Sequence, residues 1–202
     1  MRQLSSQLQL ARFFRATKAD AWIVYSATRE VLEWFARQKI PVLALGGRSL
    51  GLPIASVHTD VGRAMAGAVK AMVMLGHRRI VLIAGRLWRD PQPNLSALLF
   101  LDCLKRHRIR VSNFNIPEWE ETPAGLKRML ESLFSATPPT ALIIVEPSAC
   151  VAALIFLAGR GIVVPRDLSL VSLLPDPVFS LFRPEIAHFD WPIPALVDST
   201  AR

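Results

Sequence analysis

Leu75-Gly76-His77-Arg78-Arg79-Ile80-Val81-Leu82-Ile83-Ala84-Gly85 is the stretch on which the reading of this chain turns. Before it, Asp60 has the chemistry of an N-cap, and apolar residues recur at helical spacing over 61–75. Gly76 follows as a C′ residue, able to take the left-handed turn that ends a helix. Ile80 to Ala84 is then an unbroken apolar run, too short for a helix and stopped by Gly85, which reads as a strand buried on both faces. Helix, glycine turn, buried strand is one half of a βαβ unit.

The same alternation extends in both directions. Upstream, Leu4, Leu8, Ala11 and Phe14 space as a helix over 2–15. Ala21-Trp22-Ile23-Val24-Tyr25 reads as a buried strand. Thr28 is placed to cap a helix carrying Val31, Leu32, Trp34 and Phe35. Pro41 to Leu45 is a strand stopped by Gly46-Gly47, and Ser56-Val57-His58 is a short extended piece. Downstream, a Pro-rich polar loop from Arg86 to Asn94 breaks the rhythm. A helix over 95–107, a short strand at 110–114 and a helix from Thr122-Pro123 to Phe134 follow. Ala141 to Val145 is a strand, 148–159 a helix and Leu168 to Ser172 a strand. Ile186 to Phe189 is extended, and the tail after Pro194 begins a helix. Continuous apolar strands alternating with helices predict an α/β protein with parallel sheets covered by helices.

Composition agrees with that class. Of 202 residues 51% are hydrophobic and 20% charged, the balance of a core-rich folded protein rather than a disordered one. The formal net charge of +8 favours anionic partners. The charges are dispersed, except for Lys105-Arg106-His107-Arg108 and Arg110, read as a solvated helix end where cations suit the dipole. Cys103 and Cys150 lie in apolar helical surroundings and suit free, buried thiols of a reducing compartment. The most membrane-like stretch, Thr140 to Gly159, is interrupted by Glu146-Pro147 and reads as two buried elements. No secretory h-region opens the chain, so a cytoplasmic location is expected. His58, His77, His107 and His188 have no metal-like spacing with one another or with the cysteines, so no metal or cofactor is expected. His77 is read as a helix-end cation. No nucleophile elbow, P-loop or dinucleotide fingerprint occurs, which argues against an enzyme.

The residues quoted first, taken with Asp60, Gly62, Ala66, Val69 and Met72, closely resemble the signature of the LacI/GalR repressor family. Pro139-Thr140-Ala141-Leu142-Ile143-Ile144 resembles that family's "PTAI" strand. Gly161 to Ser172 is similar to its "G..VP.DISVVG", and Arg183-Pro184-Glu185-Ile186-Ala187 stands where it has "PPLTTI". The anchors run in family order from about Ala19 to Trp191. The resemblance implies the periplasmic-binding-protein-like type I fold, two Rossmann-like lobes with parallel sheets. The first lobe is expected to be incomplete, because the strand, helix and strand that the family has before the stretch matching Ala21 find no counterpart in the sequence. The lobes are expected at 1–85, with 190–202 returning to it, and 86–189. The first is expected to be the less stable, since a sheet without its central strand leaves backbone unpaired.

The resemblance further implies a small-molecule effector, carbohydrate or a derivative, held in the interlobe cleft, a homodimer, and control of DNA binding by an N-terminal head with no counterpart here. Rivals are a solute-binding protein of the same fold and a dimerising fragment without ligand. Three cleft positions depart from the family: Ser96 stands where an Arg is usual, Glu146-Pro147 replaces Asn-Asp, and Leu174-Pro175-Asp176 replaces Asp-Asp. The candidate ligand-binding residues are Tyr25, Ser26, Ser96, Trp119, Glu146, Asp176 and Trp191. Glu146 ends a strand at the carboxyl edge of a parallel sheet, where such sheets bind ligands; a carboxylate serving only the following helix start is the alternative. Trp119 and Trp191 either stack on a ligand or simply pack. Tyr25 and Ser26 also end a strand. Ser96 could equally be helix surface.

Overall fold

The structure, a computed structural model, describes residues 7–89, 95–135 and 137–200. The elements run α1 (Gln7–Ala16), β1 (Trp22–Tyr25), α2 (Arg29–Ala36), β2 (Val42–Leu45), β3 (Ala55–Val57), α3 (Val61–Met74), β4 (Ile80–Ile83), α4 (Arg86–Arg89), α5 (Leu95–Arg106), α6 (Pro123–Ser135), β5 (Ala141–Ile144), α7 (Pro147–Ala158), β6 (Ser169–Ser172) and α8 (Ile193–Thr200), with 3-10 turns at Asn113–Asn115 and Pro177–Leu181. The strands form two parallel three-stranded sheets, β1-β2-β3 and β4-β5-β6. The fold is therefore α/β with parallel sheets.

The chain divides into two units, Met1–Thr59 with Pro192–Arg202, and Asp60–Trp191. The division expected at residue 85 lies elsewhere because β4 pairs with β5, Ile80 opposite Ala141 through Ile83 opposite Ile144. Helix α3 goes with it: Met65, Ala68, Val69 and Met72 share one core with Ile80, Leu82 and Phe100. The tail groups with the first unit.

In the second unit every residue of β4 and β5 is buried. Side chains alternate across a strand, so one apolar run feeds two cores. Val81, Ile83, Leu142, Ile144 and Leu170 pack with Leu130 and Leu133 of α6 and Cys150 and Ala153 of α7. Ile80, Leu82, Ala141, Ile143 and Val171 pack with α3 and α5 on the other face. Burial pushes the Cys150 thiol up to about 12, and both cysteines are free.

The turn before β4 is built as its sequence suggests. Asp60 Oδ1 accepts from Arg63 N at 2.9 Å. Gly76 sits at φ +86, with its N–H on Val73 O and the His77 N–H on Met72 O, both at 3.0 Å. That double closure is the Schellman ending. Thr28 precedes α2 but makes no side-chain cap.

Two further expectations are corrected. Residues 110–114 form no strand: Ser112 Oγ accepts from Phe114 N, Asn115 Oδ1 accepts from Ser112 N, and these local bonds close a 3-10 turn. Asn115 Nδ2 donates to Ile80 O at 2.9 Å, so a side chain serves the β4 carbonyl that a strand would have served. Arg86–Arg89 is a helical turn, α4, rather than loop; the rest of that segment, 90–94, and Leu4 of the first helix lie outside the described residues. Ile186 to Phe189 contributes one isolated bridge, His188 with Ser172. Thr140 to Gly159 is β5 and α7, with Glu146 as the N-cap. Among the described residues no helix is long and apolar enough to cross a membrane.

The first unit packs one face of its sheet. Val24, Val42 and Ala44 bury against Leu10 of α1 and Leu32 and Phe35 of α2, and Phe14 stacks on Trp22 with ring centroids 5.3 Å apart. Ile23 and Tyr25, pointing the other way along β1, are 64% and 54% exposed.

Candidate functional site

The carboxyl ends of β4 and β5 bring together side chains from four places in the second unit. Strand β4 is followed by Ala84 and Gly85, and β5 by Val145 and Glu146. Their parallel register sets Glu146 beside Gly85, and Glu146 Oε1 accepts from Gly85 N at 2.9 Å. Glu121, at the turn before α6, accepts from the next amide, Arg86 N, through Oε1. A Cβ on residue 85 would stand 2.7 Å from Glu146 Oε1 and 2.9 Å from Glu121 Oε1, so glycine is what lets both carboxylates approach.

Trp119 and Arg89 converge on Ala84 O. The indole Nε1 donates to it at 3.1 Å and Arg89 Nε at 3.0 Å. Arg89 Nη2 also donates to Trp119 O at 3.0 Å, locking the α4 turn to the loop that carries the indole. Arg89 is 9% exposed, and burial of a guanidinium requires such partners.

Burial pushes the Glu146 carboxyl above its ordinary value. The Gly85 and Glu146 amides pull it back, Glu121 adds to the rise by like-charge repulsion, and Arg89 opposes it. Oε2 of Glu146 is buried with no hydrogen-bond partner. The arrangement is a fixed aromatic ring, a carboxyl group with accepting capacity unspent and a guanidinium held alongside. That set suits recognition of a polar ligand with a flat apolar side.

Of the residues singled out in the sequence, Trp119 and Glu146 meet here. Ser96 is half-buried near the start of α5. Asp176 is a cap: its Oδ1 accepts from Val178 N at 2.9 Å at the head of the 3-10 turn Pro177–Leu181. Trp191 is half-buried at the end of the second unit. Tyr25 and Ser26 are exposed at the carboxyl end of β1 in the first unit, with Ser26 at φ 49 and its N–H on Leu45 O at 3.0 Å. Sequence reasoning missed Arg89, Glu121 and the steric role of Gly85. Glu121 stands close after Trp119 in the chain, and Arg89 carries no local signature.

His77 is not the helix-end cation expected. Its Nδ1 lies 3.1 Å from Thr140 Oγ1 and its Nε2 2.8 Å from Ser169 Oγ, bridging the starts of β5 and β6. Burial lowers its pKa and favours the neutral ring. Among the described residues no group of three or more His, Cys, Asp or Glu could hold a metal ion.

No curated protein matches the chain in sequence. Solved structures match its fold over nearly its whole length. A sugar-binding transcriptional regulator of the LacI family from Escherichia coli, complexed with phosphate, is 21% identical, with 95% of this chain and 70% of that one covered and a TM-score of 0.76. A regulatory protein of the LacI family from Chloroflexus aggregans is 20% identical, covering 94% and 69%, with a TM-score of 0.79. A LacI family transcriptional regulator from Enterococcus faecium with bound ribose is 21% identical, covering 95% and 72%, with a TM-score of 0.75. At these identities the likeness is one of fold. The sequence profile of the periplasmic binding protein-like domain matches residues 69–202, and by that match this chain belongs to the periplasmic binding protein-like domain family.

Proposed function

We propose that this chain is the effector-sensing part of a bacterial transcription regulator and that it binds a small, neutral, hydroxyl-bearing molecule, a sugar or sugar derivative, at the carboxyl edge of the second sheet. The observation that carries the reading is Glu146, fixed on Gly85 with its second oxygen buried and unpartnered, beside the anchored indole of Trp119. A buried acceptor without a donor costs about 1–3 kcal/mol, which a ligand hydroxyl relieves. An acidic ligand would meet Glu146 and Glu121 and be repelled. The ribose in the Enterococcus faecium relative and the sugar-binding description of the Escherichia coli one support the same class.

Ser96 and Trp191, in the same unit, complete the effector's surroundings in this reading, and Asp176 positions its loop. The protein is a binding module rather than an enzyme: the effector leaves unchanged, and its preference for one of two populations of a hinge is the signal. The regulator acts as a homodimer, and contact with DNA belongs to a head domain.

Titration calorimetry with ribose and a panel of neutral sugars and sugar acids tests this. A neutral sugar is expected to bind, and Glu146→Ala and Trp119→Ala each to weaken it at least about tenfold, the loss of one or two good contacts. Binding confined to sugar acids, or a neutral sugar bound equally by both variants, would overturn the proposal.

A further inference from the structure

The opposite end of the second sheet holds a different chemistry. Arg78 and Arg79 directly precede β4, Arg110 follows α5, and Thr137 precedes β5. Together with Ser112 and Phe114 they line a cavity of about 310 Å³, the lower end of the range that small-molecule sites occupy. The guanidinium of Arg79 is held by its Nε on Pro138 O at 2.7 Å, and that of Arg78 by Nη1 on His107 O at 3.3 Å. Each spends one of the several donors a guanidinium carries. Among the described residues none of the three arginines lies within ion-pair distance of a carboxylate. Lys105 and Arg108 add to the positive field from the end of α5, where Arg106 is offset by Asp102 at 2.7 Å.

Three like charges in the lining of one small volume repel one another, and an anion placed among them relieves that repulsion. Guanidinium groups match phosphate oxygens in a bidentate fork. Ser112 and Thr137 supply hydroxyls, and Phe114 supplies an apolar wall for the carbon part of a ligand. Three cationic groups around one small volume suit a terminal, doubly charged phosphate better than a phosphodiester, which carries one charge and continues in both directions.

We propose that this cavity is a second ligand site, separate from the Glu146 site, and that it binds the phosphate monoester of a small molecule through Arg78, Arg79 and Arg110.

The test uses the full chain at constant ionic strength, titrated with glycerol 3-phosphate, inorganic phosphate and a short single-stranded oligonucleotide. Glycerol 3-phosphate is expected to bind at one site and inorganic phosphate more weakly. Arg110→Ala, at an exposed position, should leave the melting temperature unchanged and weaken glycerol 3-phosphate at least about tenfold, as losing a charge-assisted pair does. Arg110→Lys, which keeps the charge but not the fork, should also weaken it. Lys70→Ala, an equal loss of charge on α3 outside the cavity, and Glu146→Ala should each leave it unchanged. Equal affinity in Arg110→Ala overturns the proposal. So does a matching loss in Lys70→Ala, which would reduce the effect to net charge, or a loss in Glu146→Ala, which would move the phosphate to the other edge. An oligonucleotide that outcompetes glycerol 3-phosphate in an Arg110-dependent way overturns it in favour of a nucleic-acid surface.

Discussion

At residue 85 a methyl group would collide only with the tips of two glutamate side chains. Gly85→Ala is therefore expected to cost less than about 1 kcal/mol of stability, since flexible ends can move aside, while displacing Glu146 and abolishing sugar binding. At Gly125 the same methyl would meet Glu120 O at 2.1 Å, which is backbone. Gly125→Ala should cost about 1–3 kcal/mol, the usual penalty of overpacking; urea denaturation of the pair of variants checks the contrast. His77 gives a pH dependence. Its folded pKa is lowered by burial, so its contribution to stability is full above the unfolded value of about 6.5 and is lost as pH falls through the folded one. Glu146, raised by burial, works in the opposite sense: its contribution is full below about 4.3 and lost as pH rises through its folded value. Urea midpoints of the native chain and His77→Gln should therefore converge between pH 8 and pH 5, with Glu146 cancelling in the difference. Glu146 was legible as a candidate because it ends a strand at the carboxyl edge of a parallel sheet, and Trp119 because an aromatic ring can stack on a ligand as well as pack. Arg89 was not, since no pattern announces which arginine a fold will bury. The charge state of His77 was misjudged because the helix end was visible in the sequence and the two hydroxyls, many residues downstream, were not.

Among the elements, β4, β5 and β6 were read as buried strands, and they are. The apolar runs do not say which residue feeds which core; only the pairing in register sends Val81 and Leu142 to one side and Ile80 and Ala141 to the other. The strand expected at 110–114 failed for a reason of the opposite kind. Ser112 and Asn115 satisfy each other's backbone locally, and local side-chain bonds compete with sheet formation. Asn115 then donates to Ile80 O. Asn115→Ala removes two buried bonds and leaves Ile80 O unpaired, so a loss of about 2–3 kcal/mol is expected in urea denaturation.

Across the whole molecule the two units differ in how their sheets are covered. The second has helices on both faces, whereas the first exposes Ile23 and Tyr25. Local opening follows the density of buried contacts. Hydrogen exchange followed by mass spectrometry should find the amides of β1 and β2 exchanging before those of β4 and β5, and equal protection in the two sheets would refute this. The residue-85 boundary illustrates the limit of composition. The polar, Pro-rich segment after Gly85 stands out in the sequence, but a change of composition marks a surface loop as readily as a boundary between units. Which sheet an apolar strand joins is decided by its partner strand, and β4 lies more than fifty residues from β5 in the chain.

Strand β4 has a consequence for how this lineage can change. Both its faces are packed, so its middle is bound by two sets of neighbours at once and drifts slowly under selection. Gly85 and Arg78-Arg79 flank it on either side. Mutation can alter the residues at Gly85 and at Arg78-Arg79 along separate evolutionary paths, with the strand between them as an inherited constant.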